Sequence, residues 1–130
     1  MDYRRHDVKL ASATLALLFF SGFFSVPGAA QEKPASRNAF HGAIAYHAAS
    51  GSTGWATDRR TSREARIEAL KQCGHEQCVV VATVTRNCAA LARNPKKFTV
   101  QKGATRQEAE TRALTKCGAG CGIAVWTCTR

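Results

Sequence analysis

The chain has 130 residues, with 19 Lys and Arg against 9 Asp and Glu, a formal net charge of +10 and six cysteines. That length leaves room for one small domain. The positive field draws anionic partners and equally keeps a small exported protein in solution, so charge alone assigns no site.

Residues 1–30 read as a secretory signal peptide. Arg4, Arg5 and Lys9 form a positive start, residues 10–26 are an uncharged apolar run, and Pro27-Gly28-Ala29-Ala30 supplies small residues for cleavage. An uncleaved anchor is the rival reading, but a spanning helix needs ~20 apolar residues and this run is shorter. Gln31 is the expected mature start, with no transmembrane anchor after cleavage. Residues 31–39 are a polar, flexible lead-in containing Pro34. The domain is expected over 40–130, built of two repeats, 40–86 and 87–130.

In the first repeat, residues 42–46 predict a short strand and 47–53 a turn-rich loop, with 54–57 the return strand. Thr61 then reads as a helix N-cap, with Glu64 placed to complete a capping box. Ala65, Ala69, Leu70 and Cys73 share one helical face, and Gly74 stops the helix. Residues 78–85 are β-branched and almost continuously apolar, which predicts a central strand.

The second repeat gives the same order. Residues 88–92 form a strand, 93–96 a turn and 98–101 the return strand. Thr105 and Glu108 repeat the capping box, and Ala109, Ala113, Leu114 and Cys117 repeat the face before Gly118. Residues 122–128 close the unit. From Thr61 to Thr105 the helix motif recurs after 44 residues, keeping the positions a helix needs to start, pack and stop. The predicted fold is α+β, an antiparallel sheet of about six strands with two short helices, in two pseudo-symmetric ββαβ repeats.

Cys73, Cys78, Cys88, Cys117, Cys121 and Cys128 all follow the leader. An even number in a short exported chain predicts three disulfides. Zinc is the competing reading, since Cys73 and Cys78 enclose His75 and Cys117 lies near Cys121, but export favours bridges. Neither a metal nor a cofactor is therefore expected. Among 15 possible pairings, the preferred set is Cys73–Cys78 and Cys117–Cys121, each tying a helix end to the next strand. Cys88 and Cys128 remain to join the two halves.

The ordered set Gly-Ala-Ile-Ala-Tyr (42–46), Gly-Trp-Ala (54–56), the doubled Thr-x-x-Glu-Ala…Ala-Leu-x-x-Cys-Gly (61–74 and 105–118), Cys-Ala-Ala-Leu-Ala (88–92) and Val-Trp-x-Cys (125–128) resembles a known family. It is a family of small exported bacterial domains catalogued as a domain of unknown function. The resemblance spans about residues 40–130 and implies a secreted or periplasmic disulfide-bonded domain. It implies no reaction and carries over no catalytic residue. One departure is visible: the first short Cys pair is one residue longer than the second.

No catalytic constellation emerges from the residues. His41 and His47 with a carboxylate suit acid–base work on an RNA phosphodiester, which makes a small secreted ribonuclease the alternative function. His75 and His47 otherwise belong to polar turns, and His41 to a strand edge. Trp55 and Trp126 fall at matching strand positions and read as half-buried sheet residues before ligand platforms. Arg59, Arg60 and Arg63, with Lys96, Lys97 and Lys102, are the candidate anion-binding set, provided the two groups meet on one face; Arg93 accompanies the second group. The expected function is therefore an exported basic binding domain for an anionic envelope component or an acidic protein, with nucleic acid less favoured.

Overall fold

The computed structural model describes residues 39–130, so the proposed leader and most of the lead-in lie outside the described residues. The elements are β1 (His41–His47), β2 (Ser52–Arg59), α1 (Ser62–Cys73), β3 (Val79–Thr85), β4 (Cys88–Arg93), β5 (Phe98–Gly103), α2 (Arg106–Cys117) and β6 (Gly122–Cys128). The ββαβ order thus occurs twice.

The six antiparallel strands lie in two sheets of three, ordered β2-β1-β3 and β5-β4-β6. The sheets stack through a shared apolar layer that includes Ile44, Tyr46, Val84, Leu91 and Val125. Fully buried Ile44 and Leu91 contribute ~1.5–3 kcal/mol each to that layer. Helix α1 covers the outer face of the first sheet through Ala65, Ala69 and Cys73 against Ala43, Ala45 and Ala56. Helix α2 covers the second through Ala109, Ala113 and Cys117 against Ala90 and Ala92.

Alanine on alanine brings backbone against backbone. A Cβ placed on Gly54 of β2 would overlap the Ala69 carbonyl oxygen and the Cys73 amide nitrogen, and one on Gly103 would lie 2.7 Å from the Ala109 nitrogen. At this distance a leucine does not fit beneath the helix. Leu70 and Leu114, expected on the core faces, lie instead at the margins, 37% and 38% exposed.

The N-caps form as expected, with Thr61 and Thr105 side chains accepting from the Glu64 and Glu108 N–H groups at 3.1 Å. Among the described residues the return bond appears only in α2. There Glu108 Oε2 accepts from Ala104 N–H at 2.7 Å, one residue before the cap. Gly74 and Gly118 both end their helices at positive φ, 68° and 88°. Only glycine takes such angles without strain.

Strand β3 is an edge strand, whereas β1 and β4 are central. Its apolarity has another cause. A β-bulge at Val81 lets Val80 face α1 while Ala82 and Val84 face the second sheet, so both faces are covered without a flanking strand on each side. A matching bulge at Ala124 separates Ile123 from Val125 on β6.

The three bridges are Cys73–Cys78, Cys88–Cys128 and Cys117–Cys121. The two local bridges tie each helix end to the following strand. Cys88–Cys128 does not join the two halves, as the sequence suggested. Both residues belong to the second repeat, directly opposed on β4 and β6 with Cα atoms 4.1 Å apart.

Candidate functional site

The strands define two ends of the molecule. Both helices start at one end, where His41 pairs with Thr85 and Arg59, and Cys88 with Gly103 and Cys128. The other end carries the β1–β2, α1–β3, β4–β5 and α2–β6 connections. Binding groups concentrate on such loops, held by a rigid scaffold.

This geometry divides the candidate anion-binding set. Arg59, Arg60 and Arg63 lie at the helix-start end. Lys96 and Lys97 lie in the β4–β5 turn at the loop end, six strand positions or about 20 Å away. Lys102 returns to the helix-start end on β5, in the other sheet from β2. The six residues therefore form no single face, because the β4–β5 hairpin carries its basic residues to both ends.

Carboxylates take up several arginines, of which only Arg59 belongs to that set. Arg59 lies 3.9 Å from the Glu68 carboxylate, Arg106 bonds Glu110 at 2.7 Å, Arg112 pairs with Glu108, and Arg130 reaches Asp58 at 3.5 Å. Residues 39–130 hold fourteen basic and six acidic side chains, net +8. Four of those six acids are thus already matched by arginine, and the remaining positive charge faces outward.

At the loop end lies a cleft of about 610 Å³ between the β1–β2 loop, the β4–β5 turn and the α2–β6 loop. Its lining includes Ser50, Gly51, Thr53, Arg93, Asn94 and Gly120, and no acidic side chain. Arg93 ends β4 in the second sheet and extends over Gly51 of the first repeat. A Cβ on Gly51 would come within 2.7 Å of Arg93 Nη1, and Gly51 also has φ +74°. The Asn94 side chain fixes the turn, its Oδ1 accepting from Lys96 and Lys97 N–H groups at 2.8 and 2.9 Å. Sequence reasoning placed Arg93 only beside the candidate set. Its meeting with Gly51 depends on how the two sheets stack.

The histidines separate as well. His41 and His47 occupy opposite ends of β1, about 20 Å apart, so they do not act together on one phosphodiester. His41 Nδ1 lies 2.9 Å from Thr85 Oγ1. His47 stacks on His75 with ring centroids 3.9 Å apart, and its Nδ1 lies 2.6 Å from Ser50 Oγ at the cleft edge. That meeting joins two loops and was not legible from spacing.

Trp55 and Trp126 are not at matching positions. Trp55 opposes Ile44 on β2, where the second repeat has Val100 opposing Leu91, and Trp126 opposes Ala90 on β6. They are 48% and 38% exposed and line a groove of about 370 Å³ between β2 and β6. Thr57 and Thr127 close one end, Thr57 Oγ1 donating to the Cys128 carbonyl at 2.7 Å and Thr127 Oγ1 to that of Ala56 at 2.7 Å. The Arg106 guanidinium covers Trp126 at 3.9 Å, a cation–π contact.

Among the described residues no group of three or more His, Cys, Asp or Glu side chains is arranged for a metal, and every cysteine is bridged. No helix among them is long and apolar enough to cross a membrane. These features define a small, disulfide-stabilised α+β domain of two ββαβ halves with a cationic cleft at its loop end. The chain belongs to the family described as Domain of unknown function (DUF4189), which matches residues 41–128. Its similar proteins include Rv1269c of Mycobacterium tuberculosis and Mb1300c of Mycobacterium bovis. Each is 39% identical over 88 residues, 68% of this chain and 68% of the relative. The NMR structure of Rv1813c from Mycobacterium tuberculosis is also similar, at 30% identity and TM-score 0.56, covering 96% of this chain and 99% of that one.

Proposed function

We propose that the chain is an exported binding domain that holds an anionic partner, an envelope component or an acidic protein, and that it is not a hydrolase. The observation that supports this most is the distribution of charge. Acidic side chains are matched by arginines in four places, while the loop-end cleft carries Arg93 without a neighbouring acid. Export is the reading of the leader-like start and of three bridges, which persist in oxidising compartments. Nucleic acid remains a less favoured anion.

The test pairs two assays on the oxidised protein. Retention on vesicles with anionic headgroups should exceed that on neutral ones and should fall as salt rises, because exposed charges are screened over ~8 Å at physiological ionic strength. RNA should survive incubation with the protein. Degradation that disappears in the His41→Ala/His47→Ala double variant would overturn the binding reading in favour of a ribonuclease.

A further inference from the structure

We infer that the loop-end cleft is a binding site for a phosphate-bearing group, with the Arg93 guanidinium as its first contact. This rests on the anion-binding reading and adds to it a place and a ligand chemistry.

Arg93, like Arg60, Arg63 and Arg66, has no carboxylate partner among the described residues, but it alone of these lines the loop-end cleft. Arg59, Arg106, Arg112 and Arg130 each have a carboxylate partner. Arg93 makes no side-chain hydrogen bond or ion pair among the described residues, and it brings the two halves of the fold together at the cleft. Its backbone pairs with Phe98 and Gly122, and its guanidinium lies over Gly51, where any side chain would displace it. A planar fork of donors suits an oxyanion better than a lysine ammonium does.

The surroundings favour phosphate over a single carboxylate. Asn94 uses its Oδ1 on the turn, which leaves its amide N–H groups as donors. Thr53 adds a hydroxyl to the lining, while that of Ser50 is engaged by His47 and Ser52; Lys96 and Lys97 follow in the same turn. Around Arg93 that is more donors than one carboxylate satisfies, and it suits a group with three acceptor oxygens; Lys96 and Lys97 lie outside the lining itself. The cleft, about 610 Å³, lies within the ~300–1,000 Å³ usual for small-molecule sites. It holds more than a bare ion. A Cβ on Gly120 or Gly122 would meet nothing within 4 Å, so the glycine side is open to whatever carries the phosphate.

The experiment is a titration of backbone amide shifts in the oxidised chain, with inorganic phosphate, glycerol phosphate and phosphatidylglycerol vesicles as separate arms. Phosphate should move resonances of residues 47–53, 93–97 and 118–124. Arg93→Ala should weaken binding about tenfold or more, the scale of a lost charged hydrogen bond, and Arg93→Lys should restore only part of it. Arg59→Glu/Arg60→Glu should leave it unchanged. Unaltered shifts outside these loops verify that each variant is folded. Equal responses to glycerol phosphate and vesicles would identify a soluble phosphate ester as sufficient; a response to vesicles alone would identify a headgroup. Shifts centred on residues 58–63, or an Arg93→Ala variant that binds like the parent, would overturn the cleft assignment. If that variant keeps its salt-sensitive vesicle retention, the broader binding reading stands and only the cleft falls. If phosphate fills the cleft but no anionic surface retains the protein, the cleft stands and the broader reading falls.

Discussion

Gly54 shows how much one absent side chain decides. Its Cα faces the backbone of α1 so closely that even an alanine methyl would overlap Ala69 and Cys73. Gly54→Ala should therefore destabilise the fold by about 3 kcal/mol, at the upper end of core overpacking, as read by urea denaturation. Thr129 is the opposite case. Its buried hydroxyl has no hydrogen-bond partner among the described residues, so Thr129→Val should raise stability by about 1 kcal/mol as the desolvation penalty is relieved. Neither role was legible in the sequence, because each depends on what packs above the residue. The alanines were legible as a small-residue face. That the leucines beside them would be pushed to the margin follows only from the helix-to-sheet distance.

At the scale of elements, the chain is readable because each helix carries its own start and stop. Thr61→Ala and Thr105→Ala should each cost about 1 kcal/mol, the usual worth of an N-cap. The double variant should lose close to the sum, since two sheets separate the helices. A much smaller loss at Thr105 than at Thr61 would mean that the Glu108 bond to Ala104 carries part of the cap. Strand positions were equally readable from β-branched runs and turn residues. Their partition into two sheets was not, because a run such as 78–85 looks the same whether strands or a helix and a second sheet cover it. The bulges at Val81 and Ala124 conceal the distinction, since they break the alternation that would reveal which face points where.

The molecule as a whole is an alanine-rich core of modest size secured by three bridges. Chain-entropy arithmetic assigns about 4 kcal/mol to the Cys88–Cys128 loop and about 2 kcal/mol to each local one, from sequence separations of 40, 5 and 4. Replacing Cys88 and Cys128 by alanine should thus lower the melting temperature more than replacing either local pair, as calorimetry would show. The same architecture sends the basic residues to two ends, and the central claim is that the loop end is the one that binds. The direct measurement is salt-dependent retention on anionic vesicles of two charge reversals matched in number. Arg93→Glu/Lys96→Glu/Lys97→Glu should abolish retention at low salt, whereas Arg59→Glu/Arg60→Glu/Arg63→Glu should keep most of it. Equal loss in both would show that only net charge matters and would contradict a binding site at the loop end.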